Sequence, residues 1–311
     1  VAVPDLPHIN SKKENVSHAA LSEAFKTGTA VAHKAAEDVH FVNNFIRGKI
    51  DRGLYADLVM SLYKVYDVLE HELDQHAPQH FHTCHFPKEL NRKEALKEDI
   101  DFWHGRAPMY TTAATQDYIN RIRQIAKENP LLLLSHAYTR YLGDLSGGKI
   151  LARVARKSLN LSRDGDGLAF YDFPHIQSPK LFKDHYRRSL DELKLDQDQI
   201  LQLVAEANVA FILNMRIFEE LDVKANVPGA KVRSLESAME LATAKPSNQD
   251  AMDECPFLKK KNAAKSNNVE TKKRCPWPFI FAHDPITGLK EYQTWVFIAL
   301  LVSWLWSRAQ G

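Results

Sequence analysis

The sequence predicts an all-α protein built around one large helical domain, and two patterns support this prediction. Apolar residues recur in steps of three and four over residues 54–73 and again over 200–218, as expected for the buried face of a long helix. No segment alternates apolar and polar residues between turn signals, so a β-sheet is not expected. We therefore expect seven or eight helices between Ser17 and Val223.

The amino-acid composition excludes several classes of protein. Of the 311 residues, 44% are hydrophobic and 26% are charged, which is typical of a globular protein and excludes wholesale disorder. The net charge of +2 gives no general basic excess, so no nucleic-acid partner is expected. Three cysteines cannot form the disulfide framework of a small secreted protein, which favours a reducing compartment.

Both ends of the chain differ from the helical region. Residues 1–16 are polar, lack the regions of a signal peptide, and are expected to form a flexible leader. Residues 224–291 contain six prolines and two basic runs, so we expect a flexible linker. Residues 292–309 are largely apolar and would span about 27 Å as a helix, close to a bilayer core. They predict a membrane anchor; a surface-lying or partner-docking helix is the alternative.

The first candidate ligand is His33, which has small neighbours that would let a flat molecule approach. Steps of three and four put Lys26, Ala30, His33 and Glu37 on one face of a helix. A neutral imidazole can bind iron, a carboxylate can orient the imidazole, and a lysine can pair with an acidic ligand edge. The spacing alone also fits an ordinary solvent-facing histidine.

The second candidate is the glycine-rich segment that contains Gly143, Gly147 and Gly148. A helical pattern precedes it and resumes after it, so we expect the glycines to interrupt a helix, each at a cost of about 1 kcal/mol. A kink that brings bare backbone to a ligand would explain them, and close helix packing is the alternative. Asp144 in this segment could hold ordered water, with Tyr66 as a hydrogen-bond partner.

Other patterns suggest metal or thiol chemistry less strongly. Glu37 and His40 form the E-x-x-H of di-iron bundles, but the sequence has no second true copy. A cluster of histidines and a cysteine over residues 80–85 is flanked by prolines, which favours an exposed polar loop. Cys255 and Cys275 each precede a proline in the linker, where they could ligate iron, form a redox-sensitive disulfide, or have no special role.

Residues 135–148 read SHAYTRYLGDLSGG, which resembles the distal-helix signature of the heme oxygenase family. Supporting similarities lie at residues 21–24, 33, 61–66, 182–187 and 211–214, so the resemblance covers about residues 21–223. The apolar C-terminal segment resembles the family's tail anchor to the endoplasmic reticulum. The two Cys-Pro pairs resemble the heme regulatory motifs of the constitutive vertebrate isoform.

The resemblance implies an all-helical domain that clamps heme b between a proximal helix and a distal helix, with His33 as the iron ligand. It implies catalytic roles for Asp144, Tyr66, Arg140, Gly143 and Gly147. It implies heme contacts for His33, Lys26, Glu37, Tyr138, Lys183, Arg187, Phe211 and Gly148, and for Cys255 and Cys275 in the linker. Two features depart from the vertebrate pattern: Ala30 stands where a second lysine is common, and residues 105–112 look shortened.

The implied activity is heme degradation, in which heme is both substrate and cofactor and dioxygen is consumed. The products would be biliverdin, carbon monoxide and ferrous iron. Electrons would come from NADPH through NADPH–cytochrome P450 reductase at the cytosolic face of the endoplasmic reticulum, and biliverdin reductase is a candidate further partner. The alternative is a membrane-tethered heme sensor or buffer that binds heme without turnover.

Overall fold

The computed structural model describes residues 20–162 and 165–236. Within these ranges the protein contains ten α-helices and no β-strand, so the all-α prediction is confirmed. The helices are α1 (Leu21–Gly28), α2 (Ala30–Glu37), α3 (His40–Ile46), α4 (Arg52–His80), α5 (Pro87–Leu90), α6 (Lys93–His104), α7 (Ala113–Glu128), α8 (Leu133–Ser158), α9 (Pro179–Asp191) and α10 (Gln197–Lys224). The expected number of seven or eight was too low, mainly because the first helical run is divided and α5 is a separate single turn.

Two long helices, α4 and α10, organise the core. Helix α4 packs against α6 and α7, while α10 packs against α7, α8 and all three N-terminal helices. The apolar stripe predicted for α4 is buried, including Leu58, Leu62 and Leu69. Each helix begins at an aspartate whose carboxylate accepts backbone N–H groups of the first turn: Asp51 for α4 and Asp196 for α10.

The N-terminal helical run is divided at Thr29, so Lys26 and His33 lie on two helices, α1 and α2, instead of one. Thr29 has φ −107° and ψ 2°, and its hydroxyl donates a hydrogen bond of 2.7 Å to the carbonyl of Phe25. The expectation of a single helical face is therefore wrong at this point. Helix α2 itself buries none of its residues.

Helix α8 continues without a break from Leu133 to Ser158, although it contains three glycines. The expectation that these glycines interrupt the helix is wrong. Leu142 and Leu145 are neighbours of these glycines in the sequence. Both leucines are buried and pack into the core on the side of the helix away from Gly143 and Gly147. That packing offsets the low helix propensity of glycine, which is worth about 1 kcal/mol per residue.

Several sequence-based predictions fall outside the described residues: the leader, most of the linker with Cys255 and Cys275, and the anchor at 292–309. Among the described helices, α10 alone is long and apolar enough to cross a membrane. Most of that helix is buried inside the fold, as expected for a core helix. The chain beyond α10 stays in contact with it, since Arg233 pairs with Glu219.

Helix α6 is held at its start by a buried glutamate of α4. Glu70 accepts hydrogen bonds from the backbone N–H groups of Arg92 and Lys93, and Tyr141 donates to it at 3.4 Å. Burial raises the pKa of Glu70 to about 7, even though the Arg92 and Lys93 contacts act in the opposite direction. Glu70 therefore titrates near neutral pH in the folded protein.

We expect Glu70→Gln to remove a pH-dependent part of the stability. Between pH 5 and pH 7 the folded protein holds a proton on Glu70 that the unfolded chain has lost, so wild-type stability falls as pH rises. Because one unit of pKa corresponds to about 1.4 kcal/mol, the variant should gain roughly 1–3 kcal/mol relative to wild type between pH 5 and pH 8. Urea unfolding at several pH values measures this, with the exposed Glu94→Gln as control; parallel curves for wild type and Glu70→Gln would contradict it.

A second prediction concerns Gly28, where α1 lies against α10. A Cβ added to Gly28 would lie 2.3 Å from Cγ1 of Val204. Although alanine is the better helix former by about 1 kcal/mol, we expect Gly28→Ala to destabilise the protein by about 1–3 kcal/mol through overpacking. Adding Val204→Ala should restore part of that loss, so chemical unfolding of both single variants and the double variant tests the close approach. A neutral or stabilising Gly28→Ala would refute it.

Candidate heme site

The proximal side of the candidate site is the half-buried face of α2, which meets α10. His33 has 44% of its side chain exposed, and its ring meets the edge of Phe211 of α10 at a centroid distance of 5.6 Å. Its Nδ1 lies 3.6 Å from Oε1 of Glu37, one turn later. The second ring nitrogen, Nε2, is therefore the one that a ligand could use while Glu37 orients the ring.

The distal side is a hydrogen-bonded cluster that joins α4, α8 and α10. The hydroxyl of Tyr66 donates to Oδ2 of Asp144, and Nε of Arg140 donates to the Tyr66 hydroxyl at 3.1 Å. Nη2 of Arg140 lies 3.9 Å from Oδ1 of Asp144, and Nη1 donates to the side chain of Asn214. The predicted grouping of Asp144, Tyr66 and Arg140 is thus present as one cluster.

Burial controls the charges in this distal cluster. It raises the pKa of Asp144, although Arg140 and the Tyr66 hydrogen bond lower it in part. Burial also raises the pKa of Tyr66 well above its usual value, so the phenol keeps the proton that it donates. Burial alone would lower the pKa of Arg140, but Tyr66 and Asp144 raise it, so the guanidinium stays charged. The cluster therefore combines a carboxyl of raised pKa with a charged guanidinium.

Helix α10 links the two sides of the site. Phe211, which touches His33, and Asn214, which binds Arg140, are three residues apart and lie about 4.5 Å apart along the helix axis. A Cβ built on Gly143 or Gly147 would have no atom within 4 Å, so these two residues present bare backbone to open space. The space in front of these two glycines is therefore accessible to a ligand.

Three cations were predicted to contact heme, and one of them lies beside the glycines. Nζ of Lys183 on α9 donates a 3.0 Å hydrogen bond to the hydroxyl of Ser146, next to Gly147. Burial, together with the neighbouring positive charge of Arg187, lowers the pKa of Lys183. Arg187 pairs with Asp184 at 3.1 Å, and Lys26 pairs with Glu23 at 3.2 Å. Acidic groups of a ligand would relieve the crowded positive charge at α9.

Two further predicted contacts, Tyr138 and Gly148, lie on α8. The Tyr138 ring stacks on Phe25 of α1 with a centroid distance of 4.3 Å, so it couples α8 to the N-terminal helices. A Cβ on Gly148 would meet Tyr171 at 3.2 Å, which means that this glycine permits close packing inside the protein. Of the three glycines, Gly143 and Gly147 border open space and Gly148 does not.

Sequence reasoning assigned no role to some residues that belong to the distal cluster. Asn214 was part of a recognised pattern, but its bond to Arg140 depends on how α10 packs against α8. Tyr118 is fully buried beside His136, and its environment includes Arg140 and Asp144. A buried tyrosine has the same sequence pattern as any other apolar helix position, so no sequence signal could have singled out Tyr118.

Two histidines of the other metal-like patterns are paired with groups of the protein itself. His40 pairs with Asp222 at 2.9 Å, and His104 bonds to the carbonyl oxygen of Ala56 at 2.8 Å. Within residues 20–162 and 165–236, no group of three His, Cys, Asp or Glu side chains is arranged to hold a metal ion. In the 80–85 cluster, Cys84 is buried instead of exposed, and burial raises the pKa of its thiol to about 11.

Comparison with known proteins agrees with this geometry. The heme oxygenase family model matches residues 19–220. The heme oxygenase of Guillardia theta is 44% identical over 206 residues, covering 65% of this chain and 86% of that protein. Human heme oxygenase 1 is 41% identical over 205 residues, covering 65% of this chain and 71% of that protein.

A solved structure shares the fold. The crystal structure of heme oxygenase-1 from the cyanobacterium Synechocystis in complex with heme has a TM-score of 0.64 and 40% sequence identity, covering 67% of this chain and 96% of that one. The residues matched by the family model, 19–220, include the helices that carry both sides of the site. The family model, the sequence identity and the shared fold agree: this chain belongs to the heme oxygenase family.

Proposed function

We propose that the protein is a heme-degrading monooxygenase that converts heme to biliverdin, carbon monoxide and ferrous iron with dioxygen. One observation carries this proposal: the Asp144–Tyr66–Arg140 cluster lies beside the bare backbone of Gly143 and Gly147, a turn of α10 away from the residue that touches His33. Membership of the heme oxygenase family supports the same activity.

Heme, when bound, supplies the iron that activates dioxygen and is itself the substrate. On the proximal side, His33 would hold this iron through Nε2. Oε1 of Glu37 lies 3.6 Å from Nδ1, on the side from which a carboxylate would orient the ring. Phe211 packs against the edge of His33 and restricts its rotation.

The cations fix the orientation of the substrate in its plane. Lys26, Lys183 and Arg187 pair with the propionates, and Arg187 has a planar fork that suits a carboxylate. Ala30 contributes no charge, so the proposed pairing with the propionates rests on Lys26, Lys183 and Arg187. Tyr138 remains a proposed heme contact on the α8 side, and Gly148, which packs against Tyr171, would act only by letting α8 lie close to that residue.

On the distal side, the protein positions groups without making covalent bonds to the substrate. Gly143 and Gly147 have no side chain to keep dioxygen away from the edge of the porphyrin, so backbone alone directs where it reacts. Asp144 holds a proton and passes it on through water, while Tyr66 and Arg140 keep the carboxyl oriented.

The remaining parts of the proposal rest on sequence. We infer that electrons come from NADPH through NADPH–cytochrome P450 reductase and that biliverdin reductase is a candidate partner. Residues 292–309 are proposed as a tail anchor in the endoplasmic reticulum membrane, joined to the helical domain by the linker at 224–291. Cys255 and Cys275 are proposed to bind heme or to respond to oxidation in that linker.

A single-turnover assay tests the activity. The full chain is mixed with an equimolar amount of hemin, then given NADPH and its reductase in air while the visible spectrum is recorded. We expect the Soret band to disappear as biliverdin and carbon monoxide form. A Soret band that responds to reduction and dioxygen but persists would contradict turnover and support the heme sensor or buffer.

We expect Asp144→Ala to retain heme but to lose biliverdin formation by about a hundredfold, because a positioned proton donor contributes at least that much to such a step. Hemin titration measures binding, and single-turnover spectra measure the product. Asp198→Ala, an exposed aspartate at the start of α10, is the control. Normal biliverdin yield from Asp144→Ala would refute the proton-holding role.

We expect His33→Ala to lose the iron–histidine bond while the fold is kept, because α2 buries none of its residues. The heme spectrum should change, turnover should fall sharply, and added imidazole should restore both in part. His175→Ala is the matched control, because His175 is exposed and lies outside α1, α2 and α3. If His33→Ala has the wild-type spectrum and turnover without imidazole, another residue is the ligand.

A further inference from the structure

Helix α2 carries the proposed iron ligand and packs against α10 only through half-buried side chains such as His33. It has eight residues, none of them buried, and its lysine and glutamate side chains point to solvent. A helix this short is not stable by itself in water. Contacts outside α2 must therefore fix the position of His33, and they are found at both ends of the helix.

The N-terminal end is held by Asn208 of α10. Its Nδ2 donates hydrogen bonds of 3.0 Å to the carbonyl of Gly28 and to the carbonyl of Val204 within α10. Gly28 precedes α2 by two residues and lies so close to Val204 that a Cβ would not fit. The Asn208 amide thus fixes the chain to α10 immediately before α2 begins.

The C-terminal end is held by Asp222, also on α10. Its carboxylate is 6% exposed; Oδ2 accepts the backbone N–H of Phe41 at 3.0 Å, and Oδ1 lies 2.9 Å from Nδ1 of His40. These two residues open α3, which follows α2 after Asp38 and Val39. A carboxylate at this point also interacts favourably with the positive end of the α3 dipole.

The two contacts lie fourteen residues, or about 21 Å, apart on one continuous helix, and Phe211 touches His33 between them. We propose that Asn208 and Asp222 are positioning residues that clamp α2 at its two ends and so set the geometry of the bond between His33 and iron. The proposal rests on His33 being that ligand. It predicts that loosening either end changes His33 without touching the heme or His33 directly.

Two variants test the clamps, and one serves as control. Asp222→Asn keeps the shape but has only one acceptor oxygen for two donors, and Asn208→Leu keeps the volume but removes the donor. Asp196→Asn makes the same chemical change at the N-cap of α10, far along the sequence from the residues that contact α2. Asparagine is an equally good N-cap, so the control should retain wild-type behaviour.

The first readout uses the heme-free protein. Hydrogen exchange of the α2 amides should be about tenfold faster in Asp222→Asn and Asn208→Leu than in wild type, because the lost bonds let the helix open locally. Amides of the α4 core should exchange as in wild type, and Asp196→Asn should match wild type throughout. Wild-type α2 exchange in either variant would overturn the role of that residue.

The second readout is the iron–histidine stretching band of the reduced heme complex, recorded by resonance Raman spectroscopy. We expect it to shift or broaden in both variants and to stay unchanged in the control. A lower melting temperature with an unchanged band would mean that the contact is merely structural, which overturns the proposal. Absence of the band from wild type would instead show that His33 is not the ligand, and both proposals would fall.

Discussion

The buried guanidinium of Arg140 is the interaction on which the site depends. It is 8% exposed and contacts a tyrosine from α4, an aspartate from its own helix and an asparagine from α10. A buried charge is costly unless its partners are in place, and removing one partner of such a group typically costs about 3–5 kcal/mol. Because losing any of these partners would be costly, the cluster stabilises the relative positions of α4, α8 and α10. The same arrangement puts the Asp144 carboxyl beside bare backbone.

Some residues of the site lower the stability of the folded protein. Gly143 and Gly147 occupy helix positions where alanine would be more favourable by about 1 kcal/mol each, and a Cβ would meet no protein atom at either place. Burial of Asp144 raises its pKa and works against the charged form. Neither feature helps the fold, whereas both suit a surface that must approach a flat ligand and hold a proton. Gly148, packed on Tyr171, is the contrasting case of a glycine used for the core.

Much of the fold could be predicted from sequence because helix periodicity is local. The stripe on α4 is largely buried as predicted, whereas Val204, Phe211 and Phe218 of the α10 stripe are only half-buried. The grouping of Asp144 with Tyr66 followed from recognised motifs. The break at Thr29 and the continuity of α8 were not predicted, because packing against α10 and the core decides them. The bonds of Asn208 to Gly28 and of Asp222 to Phe41 connect residues about 180 positions apart, and no local pattern reports such pairs.

Helix α10 ties these observations together. Along one side it contacts the chain before α2, the His33 ring, the Arg140 guanidinium and the start of α3. Helix α10 therefore positions both faces of the candidate site. A displacement of α10 would move the proximal ligand and the distal cluster together. For a site with two faces, a constant distance between the proximal and distal faces matters more than the rigidity of either face. Because most of α10 is core, that distance is maintained by the hydrophobic packing of the whole domain.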